Sequence, residues 1–272
     1  MDCDVSVGIA TLNGVTRIDP LLASIKACTG DVNYKVVVID DGSTERNLIQ
    51  LRDLCAAHGV ELREHRTNQG IPTTWNHLVE RYDCTYAALL NDDVVVKPGW
   101  LEAMLYFAMR HDVGMVGLHP NRNGKIVVCG GGEMDPDDPL AQIPHRVVAA
   151  NGYCFLIRKQ TWDRVGRFDE EYMSFYEEVD FGVRCWQAGL QSFNIPWPII
   201  EHEWSSTFAQ NDQLLLPQVR MKNSRERFIR KWGADLPDLI PALKFQLAPP
   251  TDLAWLTPKG SVRSDAVYEA NR

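Results

Sequence analysis

With 272 residues, 45% of them apolar, the chain can bury one sizeable core, as a single large domain or as one domain with a small appendage. Its net charge of -8 argues against nonspecific adhesion to nucleic acid or anionic membrane, which depends on a dense cationic surface, and leaves room for a local basic patch. Asp2 and Asp4 stand where a secretion signal would carry basic residues, and no apolar run reaches the roughly 18 residues of a membrane span. The expected location is therefore cytoplasmic, at most peripheral to a membrane. The cysteines are odd in number and form no Cys-x-x-Cys pair, so all seven read as reduced core residues.

Short β-branched runs alternate with helix-length amphipathic stretches through the first half. Strands are expected at residues 5–10, 35–40, 60–66 and 86–91, with helices at 18–27, 46–58, 73–82 and 100–110. Such alternation predicts βαβ units on a mainly parallel sheet, an α/β fold. Beyond residue 113 the pattern changes. The runs GMVGLHP and KIVVCGG flank an Asn-Arg-Asn-Gly turn, which suits a hairpin, so a small antiparallel addition is expected in the second half. Residues 134–144, rich in Asp and Pro, read as an exposed loop. A strand at 153–157, helices at 159–165 and 178–188, and the strand QSFNIPW follow. Residues 213–232 read as helical, with Pro217 marking a candidate start, and the last forty or so residues lose periodicity. The expected division is a domain over 1–232, in two halves at 1–112 and 113–232, and an extension at 233–272.

Ligands of open α/β sheets collect at the carboxyl ends of strands, where this chain carries two aspartate pairs. Asp40-Asp41-Gly42-Ser43 can accept hydrogen bonds from a base edge or a ribose, although Ser43 or Thr44 can equally serve to cap the next helix. Asp92-Asp93 follows a buried run, where adjacent carboxylates repel unless a cation or hydrogen-bond donors compensate. Mg²⁺ or Mn²⁺ would do so and leave positions open for phosphate oxygens. In Glu177-Glu178-Val179-Asp180, acid at a helix N-terminus competes with a second reading, a general base partly desolvated by Phe175, Tyr176 and Phe181. His202 lies between Glu201 and Glu203. Asn151, Tyr153 and Trp204 are candidates for an acceptor wall or ordinary core residues. The basic pattern at 225–231 reads as a solvated helix face.

In their order, VSVGIATLNG, VVVIDDGST, Asn68-Gln69-Gly70 with Trp75-Asn76, LLNDDVVVKPGWLE, VGRFDEEYMSFYEEVDFGVRCWQAG and IIEHEW resemble the family 2 glycosyltransferases, rhamnosyltransferase-type members among them. The resemblance covers roughly residues 4–232. It implies a GT-A fold, a Rossmann-like α/β/α sandwich, and an inverting transfer from a nucleoside-diphosphate sugar, UDP or dTDP favoured, to a hydroxyl of a glycan, lipid-linked saccharide, protein or modified base. It also implies that Thr11, Asn13, Asp40, Asp41, Asn68 and Asp92 surround the nucleotide, that Asp93 and His202 hold the metal, and that Glu178 is the base. Asn91 departs from a literal Asp-x-Asp. Two other readings stay open: a catalytically silent sugar-nucleotide or glycan-binding module, and a nucleotidyltransferase. The latter lacks the Gly-rich, Lys/Arg-bearing phosphate loop expected of it.

Overall fold

The computed structural model describes residues 2–110, 112–122, 124–127, 133–202, 217–235 and 237–239. The expected βαβ alternation is there. Strands β1 (Cys3–Thr11), β2 (Tyr34–Asp40), β3 (Glu61–Glu64) and β4 (Cys84–Asn91) lie in the order β3-β2-β1-β4 and are all parallel. Their crossovers contain α1 (Val15–Cys28), α2 (Glu45–His58) and α3 (Ile71–Arg81).

After β5 (Val94–Val95) and α4 (Trp100–Ala108) come β6 (Val113–Arg122), β7 (Lys125–Val127), β8 (Glu133–Met134) and β9 (His145–Val147). The last strands are β10 (Cys154–Arg158) and β11 (Gln191–His202), with α5 (Lys159–Val165), α6 (Glu177–Gln187) and α7 (Pro217–Trp232) as the remaining helices. The sheet continues β4-β10-β6-β11-β5. β10 is antiparallel to both β4 and β6, while β11 is parallel to β6.

Helices on both faces explain why the central strands β1, β4 and β10 bury residues of both faces, whereas the edge strand β3 (Glu61–Glu64) is charged and half exposed. Side chains alternate between the two layers. Val38, Ala88, Leu90 and Leu156 pack with α1, α2 and α4, whereas Val37, Ala87, Leu89 and Phe155 pack with α3, α5 and α6. A third cluster joins Tyr172, Val179 and Val183 to Phe228, seating α7 on α6. Residues 233–239 continue this packing where described: Asp235 accepts from Tyr176 Oη at 3.0 Å and from Arg225 Nε at 2.7 Å. The expected extension from residue 240 lies outside the described residues.

Three expectations change. β11 extends past residue 197 to His202 because its pairing with β6 resumes after a register shift between Ile195 and Ile200, an irregularity that accommodates Pro196 and Pro198. Residues 134–144 are not wholly an exposed loop: Met134 closes β8, a 3-10 turn spans Pro139–Gln142, and Ala141 is buried. Finally, the cysteines are not all reduced. Cys3 and Cys84 sit opposite each other in the β1–β4 ladder, Cα atoms 5.0 Å apart, and are joined by a disulfide. The parallel register of strands 81 residues apart makes this pair, and no local spacing announces it. Cys28, Cys55, Cys154 and Cys185 are free, and Cys129 lies outside the described residues. Reduction is expected to destabilise the fold by about 2–4 kcal/mol. Urea unfolding with and without reductant checks this, and Cys3→Ser should abolish the difference.

Candidate active site

The first aspartate pair shapes a loop at the carboxyl end of β2. Asp40 is fully buried; its Oδ2 accepts from the backbone N–H of Gly42 at 3.2 Å and of Ser43 at 2.9 Å, and Ser43 Oγ donates to its Oδ1. Burial raises its pKa, opposed by these bonds. Ser43 thus serves Asp40, and Thr44, the N-cap of α2, makes no side-chain cap bond. Gly42 adopts φ +88°, and a Cβ there would collide with the backbone of Thr67 and Asn68. Asp41 ties the next loop down. Its Oδ1 lies 2.8 Å from His65 Nδ1 and accepts from Gln69 N at 2.8 Å, and its Oδ2 accepts from Gly70 N at 3.0 Å. Asn68 Oδ1 also accepts from Gly70 N, at 3.0 Å. Asn13, at φ 53°, accepts through Oδ1 from Thr44 N at 2.9 Å and Asn47 Nδ2 at 3.0 Å. These residues form one rim, linked to β1 by Asp41 N donating to Thr11 O at 2.8 Å.

The second pair splits in function. Asp92, 2% exposed, receives Arg17 Nε on Oδ1 and Arg17 Nη2 on Oδ2, both at 2.9 Å, and Thr11 Oγ1 donates to Oδ2 at 2.5 Å. Burial raises the Asp92 pKa, and Arg17 and Thr11 oppose this. The close approach needs Gly14: a Cβ there would lie 1.9 Å from Asp92 Oδ2 and 2.3 Å from Thr11 Oγ1. Gly14→Ala is expected to cost about 1–3 kcal/mol, read as a lower thermal midpoint.

Asp93 turns the other way. β11 ends against β5, with His202 opposite Val94, and this brings His202 Nε2 to 3.3 Å from Asp93 Oδ1, both side chains nearly buried. The His202 ring packs on Tyr153, centroids 4.4 Å apart. A carboxylate oxygen and an imidazole nitrogen suit Mn²⁺, and also Mg²⁺ through the oxygen. Among the described residues no cluster of three or more metal-ligating side chains occurs. Cations that work on phosphates take few protein ligands and complete their shell with phosphate oxygens and water, so this pair fits such an ion.

Tyr153 connects the Asp93–His202 pair to Glu178. Its carbonyl accepts Asn91 N at 2.9 Å, its hydroxyl donates to Leu118 O at 3.2 Å, and Asn151 Nδ2 donates to that hydroxyl. Between Asn151 and Tyr153, Gly152 faces Glu178: a Cβ on it would sit 3.3 Å from Glu178 Cδ and 3.4 Å from Oε1. Glu178 Oε2 is buried without a hydrogen-bond partner among the described residues. Burial pushes its pKa up to about 6, against the pull of the backbone N–H groups of Glu178 and Val179 at the start of α6. Glu177 is pushed well above the carboxylate range by burial and by its neighbour Glu178. Asp180, fully buried, is structural, accepting from Arg184 Nε at 3.0 Å and Trp232 Nε1 at 2.9 Å.

The model of the family described as "Glycosyl transferase family 2" matches residues 6–166, from β1 through α5, with both aspartate pairs inside. The chain belongs to glycosyltransferase family 2. Glu178 and His202 lie beyond the matched span. Over 74% of its length this family 2 chain is 25% identical to the pre-mycofactocin glycosyltransferase of Mycobacterium tuberculosis, and it covers 43% of that protein. It spans only 26–43% of the length of the first curated relatives it matches. Its fold resembles that of the mannosyltransferase PcManGT from Pyrobaculum calidifontis, solved with GDP-Man and Mn²⁺ (TM-score 0.64, 15% identity, 89% of this chain and 68% of that one). It also resembles GalNAc-T7, solved with UDP, GalNAc and Mn²⁺ (TM-score 0.62, 15% identity, 74% of this chain and 44% of that one). The fold is GT-A. Among the described residues no helix is long and apolar enough to cross a membrane.

Of the expected site residues, the structure groups Asn13, Asp40, Asp41 and Asn68 on one rim, Thr11 with Asp92, and Asp93 with His202 and Tyr153; Asn151 and Glu178 flank Gly152. Trp204 lies outside the described residues. Arg17 is the site residue that the sequence reasoning missed. Its signal was its place beside Ile18 on the stripe of α1 that buries Leu21 and Ile25, where a lone charge requires a partner.

Proposed function

We propose that this glycosyltransferase is metal-dependent and inverting, moving a sugar from a nucleoside diphosphate, UDP or dTDP favoured, to an acceptor hydroxyl of a glycan, lipid-linked saccharide, protein or modified base. The observation that carries the reading is the continuous run Glu178–Gly152–Tyr153–His202–Asp93, which sets a raised-pKa carboxylate beside a metal-ligand pair.

In this reading Asn13, Asp40, Asp41 and Asn68 receive the base and ribose. Asp92, whose oxygens are engaged by Arg17 and Thr11, positions the β4 end so that Asp93 projects. Asp93 and His202 would hold Mn²⁺ or Mg²⁺, which when bound supplies Lewis-acid stabilisation of the departing diphosphate. Glu178 takes the acceptor's proton as that oxygen attacks the anomeric carbon from the face opposite the diphosphate. Asn151 and Tyr153 orient the acceptor. Residues 1–112 thus act as the nucleotide half and 113–232 as the acceptor half.

Release of nucleoside diphosphate from a panel of UDP, dTDP, GDP and CDP sugars with manganese tests the activity; release from none would refute it. Asp93→Ala is expected to abolish manganese-dependent nucleotide binding in thermal shift. His202→Ala should weaken apparent manganese affinity about tenfold or more, and an unchanged titration would remove His202 from the metal site.

A further inference from the structure

A cleft of about 350 Å³ opens between α7 and the segment leading to α6, with Glu171 and Met173 on one wall and Arg220, Asn223, Arg227 and Arg230 on the other. Resting on the transferase reading above, we propose that this cleft is a second anion site, taking a phosphate or diphosphate group carried by the acceptor.

The chain as a whole is acidic, yet α7 carries Arg220, Lys222, Arg225, Arg227, Arg230 and Lys231 against the single acid Glu226. Positions 220, 223, 227 and 230 recur at helical spacing and share one face. Their charges are not equally committed. Arg227 donates to Asp169 Oδ2 at 2.9 Å and also to Glu171, which neutralises the carboxylate of the lining. The guanidinium groups of Arg220 and Arg230 make no hydrogen bond or ion pair among the described residues. Arg220 is half-buried, its Nε fully enclosed without an acceptor. The anion it feels is Asp41, whose oxygens are already taken by His65, Gln69 and Gly70.

An enclosed guanidinium edge without an acceptor is costly, and phosphate oxygens answer its fork geometry bidentately. The size fits a small charged group with part of what it is attached to.

Position favours the acceptor as the source. The wall residue Met173 borders the nucleotide rim, accepting Ile71 N at 3.1 Å, but the chain that carries it runs directly into α6, which has Glu178 in its first turn, and this continuity is what assigns the cleft to the acceptor. Thr11, Arg17, Asp92, Asp93 and His202 do not line the cleft, so it is separate from the end where the donor diphosphate is placed.

The test is calorimetric titration of the full chain, in EDTA, with inorganic pyrophosphate; without a cation the Asp93–His202 end does not attract it. Wild type is expected to bind, and the Arg220→Gln/Arg230→Gln double variant to bind about tenfold or more weakly. Asn223→Glu, an exposed change that places a negative charge in the cleft, should do the same. No binding by wild type, or equal binding by the variants, overturns the site. Displacement of pyrophosphate by UDP overturns the acceptor assignment and gives the cleft to the donor. In turnover, the double variant should raise KM for a phosphate-bearing acceptor while leaving donor KM unchanged, and a rise in donor KM alone counts against the proposal. Asp93→Ala should keep pyrophosphate binding and lose manganese-dependent UDP binding; retention of the latter would refute the transferase site and leave the cleft standing.

Discussion

Glu178→Gln is expected to bind nucleotide with manganese as the wild type does and to lose about 10²–10⁴-fold in kcat, the contribution of a positioned general base. Glutamine keeps the shape beside Gly152 but cannot accept a proton. Because burial pushes the Glu178 pKa up to about 6, the wild-type rate should rise with pH through a limb near that value, and the variant should lack the limb. Stability moves oppositely. A carboxyl whose folded pKa lies above its unfolded value binds more protons folded, so its contribution is present below the unfolded pKa and is lost as pH rises through about 6. Glu178→Gln should therefore be the more stable protein at pH 8, by on the order of 1–2 kcal/mol, and show little difference at pH 4. Parallel rate and denaturation profiles check both signs. Near-wild-type turnover would transfer the base role elsewhere.

The second large effect belongs to Arg17. Arg17→Met removes both guanidinium bonds from a buried carboxylate that keeps only Thr11, and breaking such a pair typically costs about 3–5 kcal/mol. Asp92 already has a raised pKa with Arg17 present, so without it protonation is the accessible relief. The penalty should then grow with pH, milder at pH 5 than at pH 8 in urea unfolding. Adding Asp92→Asn should recover most of the loss. A single-variant penalty independent of pH, with no recovery in the double variant, would show that the two charges are not coupled.

Much of the fold is written in local pattern. The apolar runs of β2 and β4 end at the residues expected, Asp40 and Asn91, because strands covered on both faces stay apolar until the carboxylates at their ends, whereas β1 runs one residue further, to Thr11. The positions of Asp40 at the end of β2, Asp93 just after β4 and Glu178 in the first turn of α6 were legible because each charge stands directly at the edge of a buried run or at the start of a helix. What local pattern could not show depends on register between distant segments. The β1–β4 ladder sets Cys3 opposite Cys84, the packing of α1 beside the end of that ladder brings Arg17 to Asp92, and the β5–β11 pairing of His202 with Val94 brings His202 to Asp93. Motif order anticipated the last of these, and nothing in spacing or composition anticipated the first two. Arg220 was hidden in another way, since a basic helix face looks solvated until the segment folded against it is known.

The reversed strand β10 has a consequence for how such a molecule diversifies. Running against β4, it begins where β4 ends, so Tyr153 meets Asn91 at the mouth of the site. The chain just ahead of β10 is therefore delivered beside Glu178, the side that the proposed function gives to the acceptor, while the Asn13–Asp40–Asp41–Asn68 rim hangs from β1 and β2 and shares no strand with it. Under the proposed function, residues inserted or exchanged before Asn151 would reshape what receives the sugar without disturbing what delivers it. Donor choice and acceptor choice would then be separately heritable, and grafting residues 134–150 between members of the family should change the second while sparing the first.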